Sequence, residues 1–167
     1  MNLIVAVDQN WGIGKQNGLL FSIPEDMKFF RSTTLNKVVC MGYNTLLSFP
    51  ESKPLKNRVN VVLAPEGVER DDCLVVHDLK TLFDKLSAYD SEDIFVIGGG
   101  MFYKTMLPYC NNAYVTEVYA NGDATVFFEN LDKLSNWKKS YLSEVKNSGD
   151  LSFRFTLYQN SDVKIFE

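Results

Sequence analysis

The strongest constraint on this chain is the alternation of short apolar runs with helix-patterned stretches, repeated from its start to about residue 110. The runs at residues 2–7, 37–41, 58–63, 73–76 and 93–97 are nearly continuous in apolar character and rich in valine and isoleucine. That is the pattern of strands buried on both faces. Between them, residues 23–34 predict a helix, as do Leu79, Leu82, Phe83 and Leu86 at helical spacing. Gly42 turns the second strand into a short helical stretch, and a further helix closes before Pro108. This order leads to a mostly parallel, twisted sheet with helices on both faces. After Cys110 the pattern changes. Residues 113–119, 138–145 and 153–159 read as long strands without intervening helices, hence an antiparallel C-terminal edge. The expectation is one α/β domain over residues 1–167.

Composition narrows the function classes. A chain of 167 residues, 46% hydrophobic and 13% aromatic, can bury one sizeable core without disulfides. Its formal net charge of −4, with no run of lysine and arginine, argues against non-specific nucleic-acid binding. It has no stretch of about 18 apolar residues for a membrane span. Met1-Asn2-Leu3-Ile4-Val5 also lacks the basic flank of a signal peptide. Cys40, Cys73 and Cys110 are odd in number, far apart and set among apolar or aromatic residues. Free thiols in a reducing, cytoplasmic setting are expected. His77 is the only histidine, which removes most zinc sites, and no metal is expected. Its place before Asp78 at a helix entrance reads as that of a solvated loop residue. With no exposed apolar stripe, a monomer is expected.

Candidate chemistry begins at Ser22-Ile23-Pro24-Glu25-Asp26-Met27-Lys28-Phe29-Phe30. Ser22 and Glu25 have capping-box spacing, and Pro24 suits a first helical turn, where a backbone donor is not missed. Asp26, Phe29 and Phe30 fall three and four positions apart, so acid and rings share a helix face. A carboxylate there either complements the helix dipole in water or, if the face lines a cleft, is desolvated. In the second case its pKa rises and it can hold a proton near neutral pH.

Ligands of open α/β sheets collect at the carboxyl ends of strands, which directs attention to the loops after Val7, Met41, Leu63 and Ile97. After Ile97, Gly98-Gly99-Gly100 joins a strand to the helix start Met101-Phe102-Tyr103. Such a turn offers bare backbone donors to a pyrophosphate, or merely permits tight packing. Gly42-Tyr43-Asn44-Thr45 repeats the arrangement, and two such junctions can hold two halves of one extended anion. Arg58, behind Lys53-Pro54-Leu55-Lys56-Asn57, could clamp a carboxylate above Leu55 and Phe49, or be an ordinary solvated arginine. Thr116 shares a strand face with Tyr114 and Val118, where a hydroxyl could orient a buried acid.

In order and spacing these segments resemble the dihydrofolate reductase family over nearly the whole chain. The resemblance rests on Ala6-Val7-Asp8, Gly12-Ile13-Gly14, Asn17-Gly18-Leu19, Ile23-Pro24-Glu25-Asp26-Met27 with Phe30, Met41-Gly42 with Thr45, and Pro54-Leu55 with Arg58. It continues through Asn60-Val61-Val62-Leu63, Val96-Ile97-Gly98-Gly99-Gly100 with Tyr103, Leu107-Pro108, Tyr114-Val115-Thr116, and Gly122-Asp123 with Thr125. It implies an eight-stranded sheet and hydride transfer from NADPH to dihydrofolate. By carry-over, Asp26 bonds the pterin and assists its protonation, with Thr116 in support. Ile4, Val5, Ala6, Met27, Phe30, Phe49 and Leu55 enclose the substrate, and Arg58 takes its glutamate carboxylate. Cofactor contacts fall to Ala6, Ile13, Gly14, Gly18 and Leu19, and to Gly42, Tyr43, Asn44 and Thr45. They continue to Leu63 and Ala64, then to Ile97, Gly98, Gly99, Gly100, Met101, Phe102 and Tyr103. Residues 9–21 would form a mobile lid.

Two regions depart from the family pattern. Where the family has Leu-Pro-Trp, this chain has Leu19-Leu20-Phe21. Phe21 fills the catalytic-site space of an indole but cannot donate to a water near the pterin. Around the cofactor's 2′-phosphate, Tyr43 and Met101 stand for arginines, and Ala64 and Pro65 for hydroxyl or basic residues. Each lost charge-assisted hydrogen bond costs roughly 1.5–3 kcal/mol. Two losses lower NADPH affinity by about two to four decades, so NADH use stays open. Two other functions also stay open. One is a catalytically weak paralogue that binds folate or a nucleotide. The other is the related reductase of riboflavin synthesis, whose ribosylaminopyrimidine phosphate Asp26, Phe30 and Arg58 do not match.

Overall fold

The computed structural model describes residues 1–16 and 18–167; Asn17, which contributes to the family resemblance, lies outside the described residues. The chain runs β1 (Asn2–Val7), β2 (Gly12–Gly14), α1 (Pro24–Thr34), β3 (Val38–Gly42), α2 (Tyr43–Ser48), β4 (Val59–Leu63), β5 (Leu74–Val76) and α3 (Leu79–Leu86). It continues through β6 (Ile94–Val96), α4 (Gly100–Met106), β7 (Asn112–Val118), β8 (Val126–Phe127), β9 (Trp137–Leu142), β10 (Lys146–Ser148) and β11 (Leu151–Asn160). The main sheet is eight positions wide, in the order β10-β11-β7-β1-β6-β3-β4-β5. From β7 to β5 every pairing is parallel, and β11 is antiparallel to β7. A ninth strand, β9, shares the outer edge of β11 with β10, so it lengthens the edge rather than widening the sheet.

Strand alternation divides the core into two layers. Leu3, Val5, Val7, Cys40, Val61 and Val96 pack with Leu82 and Leu86 of α3 and Phe102 and Met106 of α4. Ile4, Val39, Met41, Val62 and Phe95 point the other way, to Leu46 of α2 and to Phe29 and Phe30 of α1. Each fully buried aliphatic side chain contributes about 1.5–3 kcal/mol, and both faces of the central parallel strands are covered, while Leu74 of the edge strand β5 stays exposed. This is why those runs are apolar throughout.

Two local features differ from the sequence-based expectation. The capping box at Ser22 does not form: Ile23 is the N-cap residue of α1, without a side-chain bond, and Pro24 opens the helix. Ile23 is only 3% exposed and packs with Val118 and Phe153, so burial rather than a hydroxyl fixes the helix entry. Pro24 at the first helical position then leaves Ser22 outside the cap. The second difference is the β2–β8 ribbon, too short for any hydrophobic period to register. It brings Gly12 so close to Ala124 that a Cβ on Gly12 would collide with it.

Candidate active site

Asp26 leaves the first turn of α1 toward the carboxyl ends of β1 and β7, where the Thr116 hydroxyl donates to its Oδ1 at 2.7 Å. Register fixes that meeting, because Thr116 lies beside Ala6 of β1 and opposite Phe155 of β11. Burial pushes the Asp26 carboxyl above its ordinary range, and the Thr116 hydrogen bond partly opposes the shift. An acid serving only the helix dipole in water would shift the other way. The dipole reading is therefore set aside.

Apolar walls surround the acid. Phe29 packs at 4.7 Å on Phe155 and 6.2 Å on Tyr114. Phe30, Phe49 and Leu55 join Ile4 in one cluster. Met27 stays 56% exposed at the start of the helix. Val5 does not share this environment: alternation turns its side chain into the α3–α4 layer, leaving only its backbone on the Ile4 side. Phe21 packs, half-buried, with Ile23, Val118 and Phe153 under the entrance of α1.

Arg58 is held in place before any ligand arrives. Its Nε donates to Thr34 Oγ1 at 3.1 Å, and its terminal nitrogens donate to the carbonyls of Lys56 and Arg31 at 2.9 and 3.4 Å. Burial and the neighbouring Arg31 lower its pKa, yet it stays charged. Of five guanidinium donors, one on each terminal nitrogen remains, the pair a bidentate carboxylate needs. Asn60 holds the loop behind it by accepting from Leu55 N at 3.0 Å and donating to the carbonyls of Leu55 and Arg58 at 2.9 and 3.2 Å.

The two glycine junctions lie against each other. Gly42 N donates to Gly98 O at 2.9 Å, and Tyr103 N to Gly99 O at 2.8 Å. Gly98 has φ of +130°, and a Cβ there would sit 3.4 Å from both Thr45 Oγ1 and the Tyr103 ring. Any other residue would be strained at this point. Helices α2 and α4 have six and seven residues, so their dipoles are slight, but their first-turn amides have no intrahelical partners. A turn whose backbone disfavours a side chain at Gly98, flanked by first-turn amides, has the chemistry to take a phosphate-bearing nucleotide. Ile13 and Gly14 are half-buried beside it, with Gly14 O accepting from Thr125 N at 3.0 Å. Gly18 is exposed, and Leu19 and Met101 are each 78% exposed. The Phe102 and Tyr103 side chains are buried in the core. Ala6, Ile97 and Leu63 are half-buried, Asn44 is exposed and Ala64 is buried. Tyr43, Asn44, Leu63, Ala64 and Pro65 line an open cleft of about 510 Å³ at the ends of β3, β4 and β5.

Three roles were not visible in the linear pattern. Asp8 is buried and accepts from Asn10 N at 2.8 Å, Gly12 N at 2.7 Å and Gly122 N at 3.0 Å, tying the first loop to residues 119–125. Its spacing to Asn10 is that of an Asx-turn, a signal that could have found half of this role. Tyr103 Oη donates at 2.7 Å to Ile4 O, and burial first, then the Asp26 carboxylate, drives its pKa up. His77 does lie in the loop between β5 and α3, but it is half-buried rather than fully solvated. It lines the same cleft, with Nδ1 3.1 Å from Ala64 O.

A half-buried acid and two abutting glycine junctions lie toward the carboxyl ends of one parallel sheet, where ligands of such sheets collect. Comparison with known proteins agrees. The family model for dihydrofolate reductase matches residues 1–160. The dihydrofolate reductase of Bacillus subtilis is 33% identical, over 97% of this chain and 95% of that protein. The dihydrofolate reductase of Schistosoma mansoni is 34% identical, over 95% of both. Among solved structures, dihydrofolate reductase from Enterococcus faecalis, complexed with NADP(H) and RAB-propyl, superimposes with a TM-score of 0.84 at 26% identity and 96% coverage of both chains. The chain belongs to the dihydrofolate reductase family.

Proposed function

We propose that the chain transfers a hydride from NADPH to 7,8-dihydrofolate, giving tetrahydrofolate, as one domain over residues 1–167. The observation that carries this reading is the Thr116–Asp26 bond at 2.7 Å, because it holds a desolvated acid at the mouth of the sheet. When bound, the reduced nicotinamide supplies the hydride. The chain binds, orients and manages a proton. Asp26 accepts hydrogen bonds from the pterin and, with its raised pKa, keeps a proton available for the ring nitrogen beside the carbon that gains hydride. Thr116 fixes the carboxylate's rotamer. Ile4, Phe30, Phe49 and Leu55 exclude water from the rings, and the free pair of Arg58 donors takes the glutamate carboxylate. The backbone at Gly42, Tyr43, Asn44 and Thr45 and at Gly98, Gly99 and Gly100 holds the cofactor's phosphates. The NADP(H) complex of the Enterococcus faecalis relative supports NADPH as the cofactor.

A cytoplasmic monomer acting on a small molecule, without nucleic acid or membrane, belongs to the same reading. Three free cysteines and the net charge of −4 support it. Among the described residues, no helix is long and apolar enough to cross a membrane. The test is loss of reduced-nicotinamide absorbance on adding dihydrofolate to purified protein. Asp26→Asn should lower kcat/KM at neutral pH by about 10²–10⁴-fold, the usual worth of a positioned acid. An unchanged rate would refute the role of Asp26, and no turnover by the parent would refute the function.

A further inference from the structure

The cleft at the ends of β3, β4 and β5 continues from the glycine junctions, because Tyr43 and Asn44 in its wall share a helical turn with Thr45. Across the sheet the order is Asp26 and Thr116 at β1 and β7, the glycine turn at β6, then this cleft. With strands about 4.8 Å apart, the cleft spans roughly 10–19 Å from β1. An extended dinucleotide whose reactive ring meets Asp26 and whose pyrophosphate lies on the glycine turn therefore ends here, with its adenosine ribose.

The wall offers that end little positive charge. Tyr43, Ala64 and Pro65 supply no cationic side chain, and Asp78 brings a carboxylate that accepts from Thr81 N at 2.7 Å. Glu66 and Glu69 face His77 from the loop after β4, and Asp78 faces it from the start of α3. Arg70, in the loop after β4, is held by both oxygens of Asp72 at 2.9 and 2.8 Å and by Ser52 O at 2.7 Å. Lys80 pairs with Asp84 at 3.1 Å. Among the residues lining the cleft, His77 alone can become a cation. Since a carbonyl only accepts, the bond to Ala64 O fixes the proton on Nδ1. Nε2, 3.6 Å from the 85%-exposed Glu69 side chain, is left for a ligand that displaces Glu69. Neutral, Nε2 presents a lone pair and repels an anion; protonated, it donates.

We propose that His77 determines cofactor specificity: its imidazolium binds the 2′-phosphate of NADPH, so discrimination against NADH requires uptake of a proton. This rests on the dihydrofolate reductase reading. The Ala64 carbonyl first, and Glu66 and Glu69 further, raise the His77 pKa above its ordinary value, while burial opposes them. His77 therefore holds its proton to higher pH than a free imidazole does, and loses it as pH rises further. Below about pH 6 the phosphate monoester takes up a proton itself, which sets the lower limit of the window.

Calorimetric titration of purified protein with NADPH and with NADH, without substrate, tests this. Between about pH 6.5 and pH 9 the NADPH Kd should weaken by about tenfold or more, the worth of one charge-assisted hydrogen bond, while the NADH Kd changes little. Heats measured in buffers of different ionisation enthalpy should report proton uptake with NADPH alone. His77→Gln should flatten the pH dependence of the affinity ratio, and His77→Arg should keep NADPH tight at high pH. The same pH dependence for both cofactors, or its survival in His77→Gln, would overturn the role of His77 while leaving the reductase intact. Failure of either nucleotide to bind, together with absent turnover, would overturn the function and this proposal with it.

Discussion

Asp26 is a costly residue that the fold keeps. Its raised pKa means that the folded state binds a proton more tightly than the unfolded chain, so holding the charged form is destabilising above the unfolded value. That cost sets in from about pH 4 upward and is complete above the folded pKa. Asp26→Asn, besides losing activity, should therefore melt at a higher temperature than the parent at pH 7, with the two melts converging near pH 4. Thermal scans across pH check this; a lower Tm for the variant at neutral pH would contradict the buried-charge account. Thr116 acts in the opposite direction, since its hydroxyl stabilises the ionised form. Thr116→Val should move the alkaline limb of the kcat/KM profile to higher pH and lower the plateau severalfold. A profile that moves down in pH would show that the hydroxyl does not serve the carboxylate. The acid was legible in the sequence as an amphipathic helix start, but its environment was not. The same four-residue pattern suits a solvated dipole partner, and only the strand carrying Thr116, ninety positions on, separates the two.

Single bonds between segments decide whether those segments hold their shape. Asn60, buried at the start of β4, spends three hydrogen bonds on the loop that ends in Arg58. Asn60→Ala leaves backbone groups of Leu55 and Arg58 unpaired, which costs about 1–3 kcal/mol. The expected kinetic signature is a KM for dihydrofolate raised about tenfold with kcat little changed, because the proposed partner of Arg58 is the tail and not the reacting ring. An equal loss in kcat would place Asn60 closer to the chemistry than its contacts indicate. Helix and strand extents were largely readable, since continuous apolar runs and the Leu79, Leu82, Phe83, Leu86 spacing have few alternatives. The start of α1 was misread at its cap, because a Ser-x-x-Glu spacing is local and the burial of Ile23 against Val118 and Phe153 is not.

The fold divides the three cysteines into two buried and one half-buried. Cys40 and Cys110 are fully buried, and desolvation pushes the Cys110 thiol up to about 12 and that of Cys40 further still. Cys73 is only half-buried. Native protein should therefore expose one thiol to a disulfide reagent, and denatured protein three. Fast labelling of Cys40 or Cys110 in the native state would refute the packing between β3 and the α3–α4 layer. At this size of description the linear pattern went far. Apolar runs set between helices dictate a parallel sheet covered on both faces, and the ordered motifs identify the family, because both are periodic or local in the chain. Strand order is neither. It brought β7 beside β1 and so gave Asp26 its threonine, and it set the loop that carries His77 at the cleft along the ends of β3, β4 and β5. Such contacts join residues far apart in sequence, whose meeting depends on the register of every strand between them.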